Sequence, residues 1–270
     1  MIHGTDTDMI PSADDGLIGW CKVKRREMTN FQSPNRRVYE QTFVRSMFDS
    51  IAHRYDFLNH ALSSGIDILW RRRAIQLLQP YQPKYILDVA TGTADLAIEA
   101  VKLNPEHITG IDISPKMLEI GRRKIQMQKL ERRITLESGE AEHLRFESGS
   151  FDAVTAAFGV RNFTDLELGL KEFYRVLRNG GCAVSLEFSR PKQFPIQQLF
   201  HVYSHTLLPL LGGIISHNRS AYEYLPGTVA EFPDGEEFCV MLRSAGFTTA
   251  DCFPQTFGIA SIYIAKKEQS

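Results

Sequence analysis

The chain has little net charge of either sign. Its 31 Lys and Arg stand against 32 Asp and Glu, a formal net charge of −1. Bulk nucleic-acid binding needs a clear basic excess, so no nucleic-acid partner is expected. Cysteine is scarce: Cys21, Cys182, Cys239 and Cys252 are the only four among 270 residues. No two share a C-x-x-C spacing, and a chain this long does not need disulfide staples, so a reducing compartment is the default. No run approaches the roughly 18 apolar residues of a membrane-crossing helix. The opening MIHGTDTDMI is acidic where a secretory leader would be basic. Residues 1–38 show no apolar period and read as a disordered tail; the folded protein is expected to start after Met28, the piece upstream of it carrying no chemistry. Residues 39–270 are expected to form one domain.

What is present alternates. VRSMFDSIAHRYDFLNHALS and ILWRRRAIQLL have helical spacing. YILDVA is a short apolar run ending at TGT, and ADLAIEAVKL returns to helix. HITGIDI reads as a second strand. The next helix opens with Ser114 as N-cap and Pro115 at its first position. ITLESG and FDAVTAAFG are strands, DLELGLKEFYRVL is a helix, and a Gly180–Gly181 turn leads into CAVSLEFS. Alternating strands and helices predict an α/β, doubly wound, mostly parallel sheet, here of seven strands. FTTADCF and TFGIASIYIAKK have no helix between them and predict a C-terminal antiparallel hairpin. Residues 189–228 break the pattern: long, apolar and punctuated by Pro209 and Gly212–Gly213. A stretch of that length inside a domain reads as a helical lid.

In such a sheet, ligands bind at the carboxyl ends of the strands. The loop DVATGTADLA stands there. Gly92 permits a tight turn, and Asp112, 20 residues on, ends the second strand, where an acid can hold two ribose hydroxyls. A dinucleotide site wants G-x-G-x-x-G, but the register here reads Gly92, Ala94, Ala97. Asp88 is a poor neighbour for phosphate and a good one for an ammonium group. Adenosine, a cationic amine and no phosphate together describe S-adenosylmethionine. Glu140 and Ala141, after the third strand, are placed to meet the adenine edge. The structural alternative is that Asp112 only begins the next helix, a task Ser114 and Pro115 already perform.

YDFLNHALSSGIDILW (55–70) and RVLRNGGCAVSLEFS (175–189) resemble the two signatures of the ubiquinone/menaquinone biosynthesis C-methyltransferases. AFGVRNF and SAYEYLPGTVAEFP are also typical of that family, and the likeness runs from about residue 44 to 265. It implies a Rossmann-like class I S-adenosylmethionine-dependent fold, with the cofactor held at Thr93, Asp112, Glu140 and Ala141. The implied reaction is C-methylation of a reduced polyprenyl quinone: demethylmenaquinol to menaquinol, or alternatively a polyprenyl methoxy-benzoquinol of ubiquinone synthesis. Departures from the family pattern are Ala94 in a loop that is usually GTGD, Ala157 where Ser or Cys is frequent, Glu140 for a shorter side chain, and Asp67 for His.

A ring carbon is a weak nucleophile until its neighbouring hydroxyl, with a pKa near ~10, loses a proton. The site must assist that loss and hold the carbon in line with the methyl group. Arg161 and Asn162, just past the fourth strand, suit the ring oxygen; the bland alternative is that Arg161 merely pairs with Asp165 or Glu187. Tyr55, with Asp56 and Asn59, would come from the N-terminal helix to cover the cofactor. His201 and His205 lack the neighbours a zinc site needs, and no metal is expected. The apolar segment 194–215 is expected to line a tunnel for the polyprenyl tail or lie on a bilayer. That places the protein in the cytoplasm or peripherally on the membrane's inner face, with a homodimer allowed. A non-enzymatic, partner-binding subunit retaining the fold is the remaining alternative.

Overall fold

A computed structural model describes residues 41–53, 65–202 and 227–268. The chain divides into two units, Met1–Thr42 and Phe43–Ser270, and the second carries the fold described below. The expected tail at 1–38, Tyr55, Asp56 and Asn59, and most of the expected lid lie outside the described residues.

A helix over 41–53 (α1) is followed by α2 (Ile66–Leu78), β1 (Tyr85–Val89), α3 (Asp95–Ala100) and β2 (His107–Asp112). Then come α4 (Pro115–Met127), β3 (Ile134–Ser138), β4 (Phe151–Ala157), α5 (Leu166–Val176) and β5 (Leu177–Phe188). The chain ends with α6 (Ile196–Val202), α7 (Glu236–Ser244), β6 (Thr249–Gln255) and β7 (Ala260–Lys266). The seven strands order as β3-β2-β1-β4-β5-β7-β6. The first five are parallel; β7 runs antiparallel between β5 and β6. The doubly wound sheet with its closing hairpin is therefore as expected.

Strand residues alternate between two cores because successive side chains point to opposite faces. Ile86, Ala153, Val184 and Leu186 face α2, α3 and α4 with Trp70, Ala74, Leu118 and Ile125. Leu87, Val89, Val154, Ala183 and Tyr263 face α5 and α7 with Leu170, Phe173, Phe238 and Leu242. Helices on both faces leave the strands' carboxyl ends as the open edge of the sheet. The Gly180–Gly181 pair does not delay β5 as the sequence implied. The strand starts at Leu177, and its pairing with β4 shifts register between Phe151 and Ala153 to absorb the extra residues.

Candidate active site

Two loops meet at the carboxyl ends of β1 and β4. Ala90, after β1, has φ 53°, and Phe158, after β4, has φ 58°. Both occupy the left-handed region that L-residues avoid, so the surrounding structure holds them there. Gly159 permits the contact: a Cβ at that position would lie 2.4 Å from the Ala90 Cβ. Only glycine lets the turn bearing Arg161 and Asn162 lie against the glycine loop.

Beneath the loops lies Asp88, 1% exposed. Its carboxylate accepts from Thr91 Oγ1 and from Thr155 Oγ1, each at 2.6 Å. Burial pushes its carboxyl up to about 6, against the pull of the two hydroxyls. Asp88 thus faces hydroxyls, and its charge acts on the loop from below. Its register neighbour Thr155, in the adjacent strand, was read in the sequence only as part of a buried strand.

Asp112 joins the glycine loop to α4. One carboxylate oxygen accepts from Gly92 N and the other from Ser114 N, both at 2.8 Å. Burial also raises this carboxyl to about 6, with the two amides pulling the other way and Asp49 adding repulsion. Ser114 caps α4 as expected, its hydroxyl accepting from Met117 N at 3.2 Å. That hydroxyl also donates to Asp49 of α1 at 2.6 Å, and Lys116 N reaches the same oxygen at 3.3 Å. Asp49 therefore fastens α1 beside Asp112. Nothing in the sequence marked it, because its partner is 65 residues away.

Thr93 is 2% exposed, and its hydroxyl receives a hydrogen bond from Lys124 at 3.1 Å. Lys124 is also ion-paired with Asp95, which Arg71 approaches at 3.9 Å; Arg71 pairs in turn with Asp67. This chain of charges fixes the start of α3 and gives Asp67 a partner. Gly139 N donates to Asp112 O at 3.1 Å, so the turn carrying Glu140 and Ala141 begins beside Asp112. Glu140 is exposed and Ala141 is buried. Glu142, also buried, accepts from Thr164 N at 2.7 Å and from Asp165 N at 3.3 Å. It ties that turn to the segment after Asn162.

The side chain of Arg161 is 7% exposed and pairs with the fully buried Glu187 at 2.7 Å. The ion pair weighed in the sequence is thus present, with Glu187 as the partner. Arg161 Nη1 also donates to Phe158 O at 2.7 Å, and the guanidinium stands 5.4 Å over the Phe188 ring. Phe158 and Phe188 pack with centroids 4.7 Å apart, and Trp70 lies 6.3 Å from each. The result is an apolar wall under a charged turn.

The residues fit S-adenosylmethionine. Asp112 offers carboxylate lone pairs beyond the two already used, suited to a ribose diol. At Gly92, φ is 56° and a Cβ would meet nothing within 4 Å, so space stands open above the loop. The two acids supply negative charge for a sulfonium and an amine. Among the described residues, no His, Cys, Asp and Glu cluster could hold a metal ion.

Fold and site together fit an α/β transferase that uses an adenosyl cofactor. The chain belongs to the ubiE/COQ5 methyltransferase family, whose model matches residues 36–267. It is 47% identical over 225 residues to the demethylmenaquinone methyltransferase of Bacteroides fragilis, covering 83% of this chain and 92% of that one. It is 44% identical over 226 residues to the ubiquinone/menaquinone biosynthesis C-methyltransferase UbiE of Geotalea uraniireducens, covering 83% and 96%. Among solved structures it resembles an S-adenosylmethionine-dependent methyltransferase from Thermotoga maritima. That match has a TM-score of 0.59 at 21% identity and covers 83% of this chain and 99% of the other. Identity at that level speaks for the fold alone.

Proposed function

We propose that this protein transfers a methyl group from S-adenosylmethionine to a ring carbon of a reduced polyprenyl quinone, converting demethylmenaquinol to menaquinol. One observation supports the reading: the Arg161–Asn162 turn lies against the glycine loop at Gly159 and Ala90, as a ring-oxygen partner beside a cofactor would require. When bound, the cofactor supplies an electrophilic methyl group. The chain's own residues perform the rest. Asp112 holds the ribose hydroxyls, and Gly92 and Thr93 form the loop floor. Glu140 and Ala141 border the adenine, and Asp88 offsets the amine and sulfonium charge from below. Arg161 and Asn162 engage the ring oxygen. The Trp70–Phe158–Phe188 wall keeps water from the ring.

The substrate's long apolar tail favours a cytoplasmic protein that works peripherally at the bilayer surface. Among the described residues, no helix is long and apolar enough to cross a membrane. A benzoquinol substrate is the second reading, favoured by the 44% identity to the UbiE relative. The test uses cofactor labelled in its methyl group and a reduced demethylmenaquinone. Label is expected in the solvent-extractable quinone fraction. Its absence under conditions where the cofactor binds would refute the reading.

A further inference from the structure

The turn after β4 holds an imbalance of buried polar atoms. Arg161 Nη1 and Asn162 Nδ2 converge on one acceptor, Phe158 O, at 2.7 and 3.4 Å. Among the described residues, Arg161 Nε and Asn162 Oδ1 are buried with no hydrogen-bond partner. The amide's orientation follows from this contact, since a reversed Asn162 would set its oxygen against the Phe158 carbonyl. One short turn therefore presents an unsatisfied donor and an unsatisfied acceptor. Leaving either unmade is costly in a desolvated place, so a ligand group is expected to complete both.

Glu187 holds this arrangement. It is 0% exposed, and both of its oxygens are committed to Arg161: Oε2 to Nη1 at 2.7 Å, Oε1 to the backbone N–H at 3.3 Å. The carboxylate fixes the guanidinium and the turn together and cancels the charge. What remains without a partner is an edge of one donor and one acceptor, Arg161 Nε and Asn162 Oδ1. A hydroxyl both donates and accepts, so it satisfies the edge. A carbonyl oxygen only accepts. It can take the Arg161 N–H but sets its lone pairs against Asn162 Oδ1.

We propose that Glu187 is a positioning residue that locks the 158–162 turn into a hydroxyl-selecting edge, so that the site takes the hydroquinone form of its ring substrate and rejects the quinone. The proposal rests on the methyltransferase reading above and names the group by which that site distinguishes the two redox states. Glu187→Gln tests it: an amide offers one acceptor and one donor where the carboxylate offers two acceptors, so one anchor is lost and Arg161 is left uncompensated.

The experiment is an anaerobic titration of protein saturated with S-adenosylhomocysteine, using a short-chain 1,4-naphthohydroquinone and its oxidised quinone as probes. The wild type is expected to bind the hydroquinone at least about 10-fold more tightly. Glu187→Gln is expected to reduce that preference to about 3-fold or less with S-adenosylhomocysteine affinity unchanged, and Glu187→Asp to restore part of it. Asn162→Leu removes the acceptor, leaves the ion pair intact and should also lose the preference. It decides the matter if Glu187→Gln does not fold. Equal binding of the two forms by a wild type that methylates the quinol would mean that a fixed water satisfies the edge; the inference falls and the proposed function stands. A folded Glu187→Gln or Asn162→Leu that keeps the wild-type preference also overturns the inference. Absence of both methyl transfer and ring binding overturns both.

Discussion

Replacing Asp112 with Asn separates stability from cofactor affinity. The carboxylate accepts from Gly92 N and Ser114 N at 2.8 Å each. An amide keeps one acceptor and sets its NH2 against the other backbone N–H, a loss of about 1.5–3 kcal/mol for one charge-assisted bond. Against this, the wild-type carboxyl is pushed by burial from 3.8 to about 6. Holding it ionised at neutral pH costs about 1–2 kcal/mol, once the residue's partial exposure is allowed for. The two effects oppose one another, so ligand-free Asp112→Asn should unfold within about 4 °C of the wild type. Cofactor affinity should fall at least about 100-fold, because the ribose diol loses its charged acceptor. The sign of the pH dependence follows from the raised value. The acid's stabilising contribution is full below the unfolded pKa and is lost as pH rises through about 6. Wild-type stability relative to the variant therefore improves as pH falls from 7 to 5. Wild-type cofactor affinity moves the other way, strengthening from pH 5 to 7, with a shallower rise in the variant. Calorimetric titration and thermal unfolding at several pH values read both. A variant whose cofactor affinity stays within about 3-fold of wild type would refute the assignment of Asp112.

Three further substitutions probe the rest of the site. Arg161→Ala should abolish methyl transfer while leaving cofactor affinity within about 3-fold. It strands the buried Glu187 charge and should cost about 3–5 kcal/mol of stability, so turnover is best measured well below the melting point. If cofactor affinity collapses in protein that remains folded, Arg161 is structural. Thr155→Val removes one of the two hydroxyls on Asp88, raising that carboxyl above about 6, and the midpoint of pH-dependent cofactor binding should move upward; an unmoved midpoint separates Asp88 from the cofactor. Ser114→Ala loses both the α4 cap and the donor to Asp49, an expected loss of about 1–2 kcal/mol in chemical denaturation. Unchanged stability would mean that α1 is anchored elsewhere.

Much of the frame was legible because local rules generate it. β1 to β4 are short apolar runs, and α4 announces itself by Ser114 and Pro115. The spacing of Asp112 to Gly92 drew attention to a pair that the fold joins by a hydrogen bond. What escaped depends on contacts distant in sequence. Glu187 was one of two partners weighed for Arg161, and only the sheet, which brings it across 26 residues, selects it over Asp165. At Asp88, the strand pairing with Thr155 adds a hydroxyl partner that the sequence did not announce. Asp67 had no assignable role until the helix placed Arg71 one turn on. The glycines of RNGG suggested a turn before β5, whereas a register shift lets the strand run through them. Asp49 and Glu142 bind backbone amides of other elements, and such contacts leave no local pattern.

The central claim is methylation of a quinol ring carbon, and side-by-side turnover with two reduced substrates tests it most directly. Purified protein is given S-adenosylmethionine with reduced demethylmenaquinone, or with the polyprenyl methoxy-benzoquinol, under anaerobic conditions. The account predicts a C-methylated product from the naphthoquinol, with kcat/KM at least equal to that for the benzoquinol. Tight cofactor binding without methylation of either ring would contradict it.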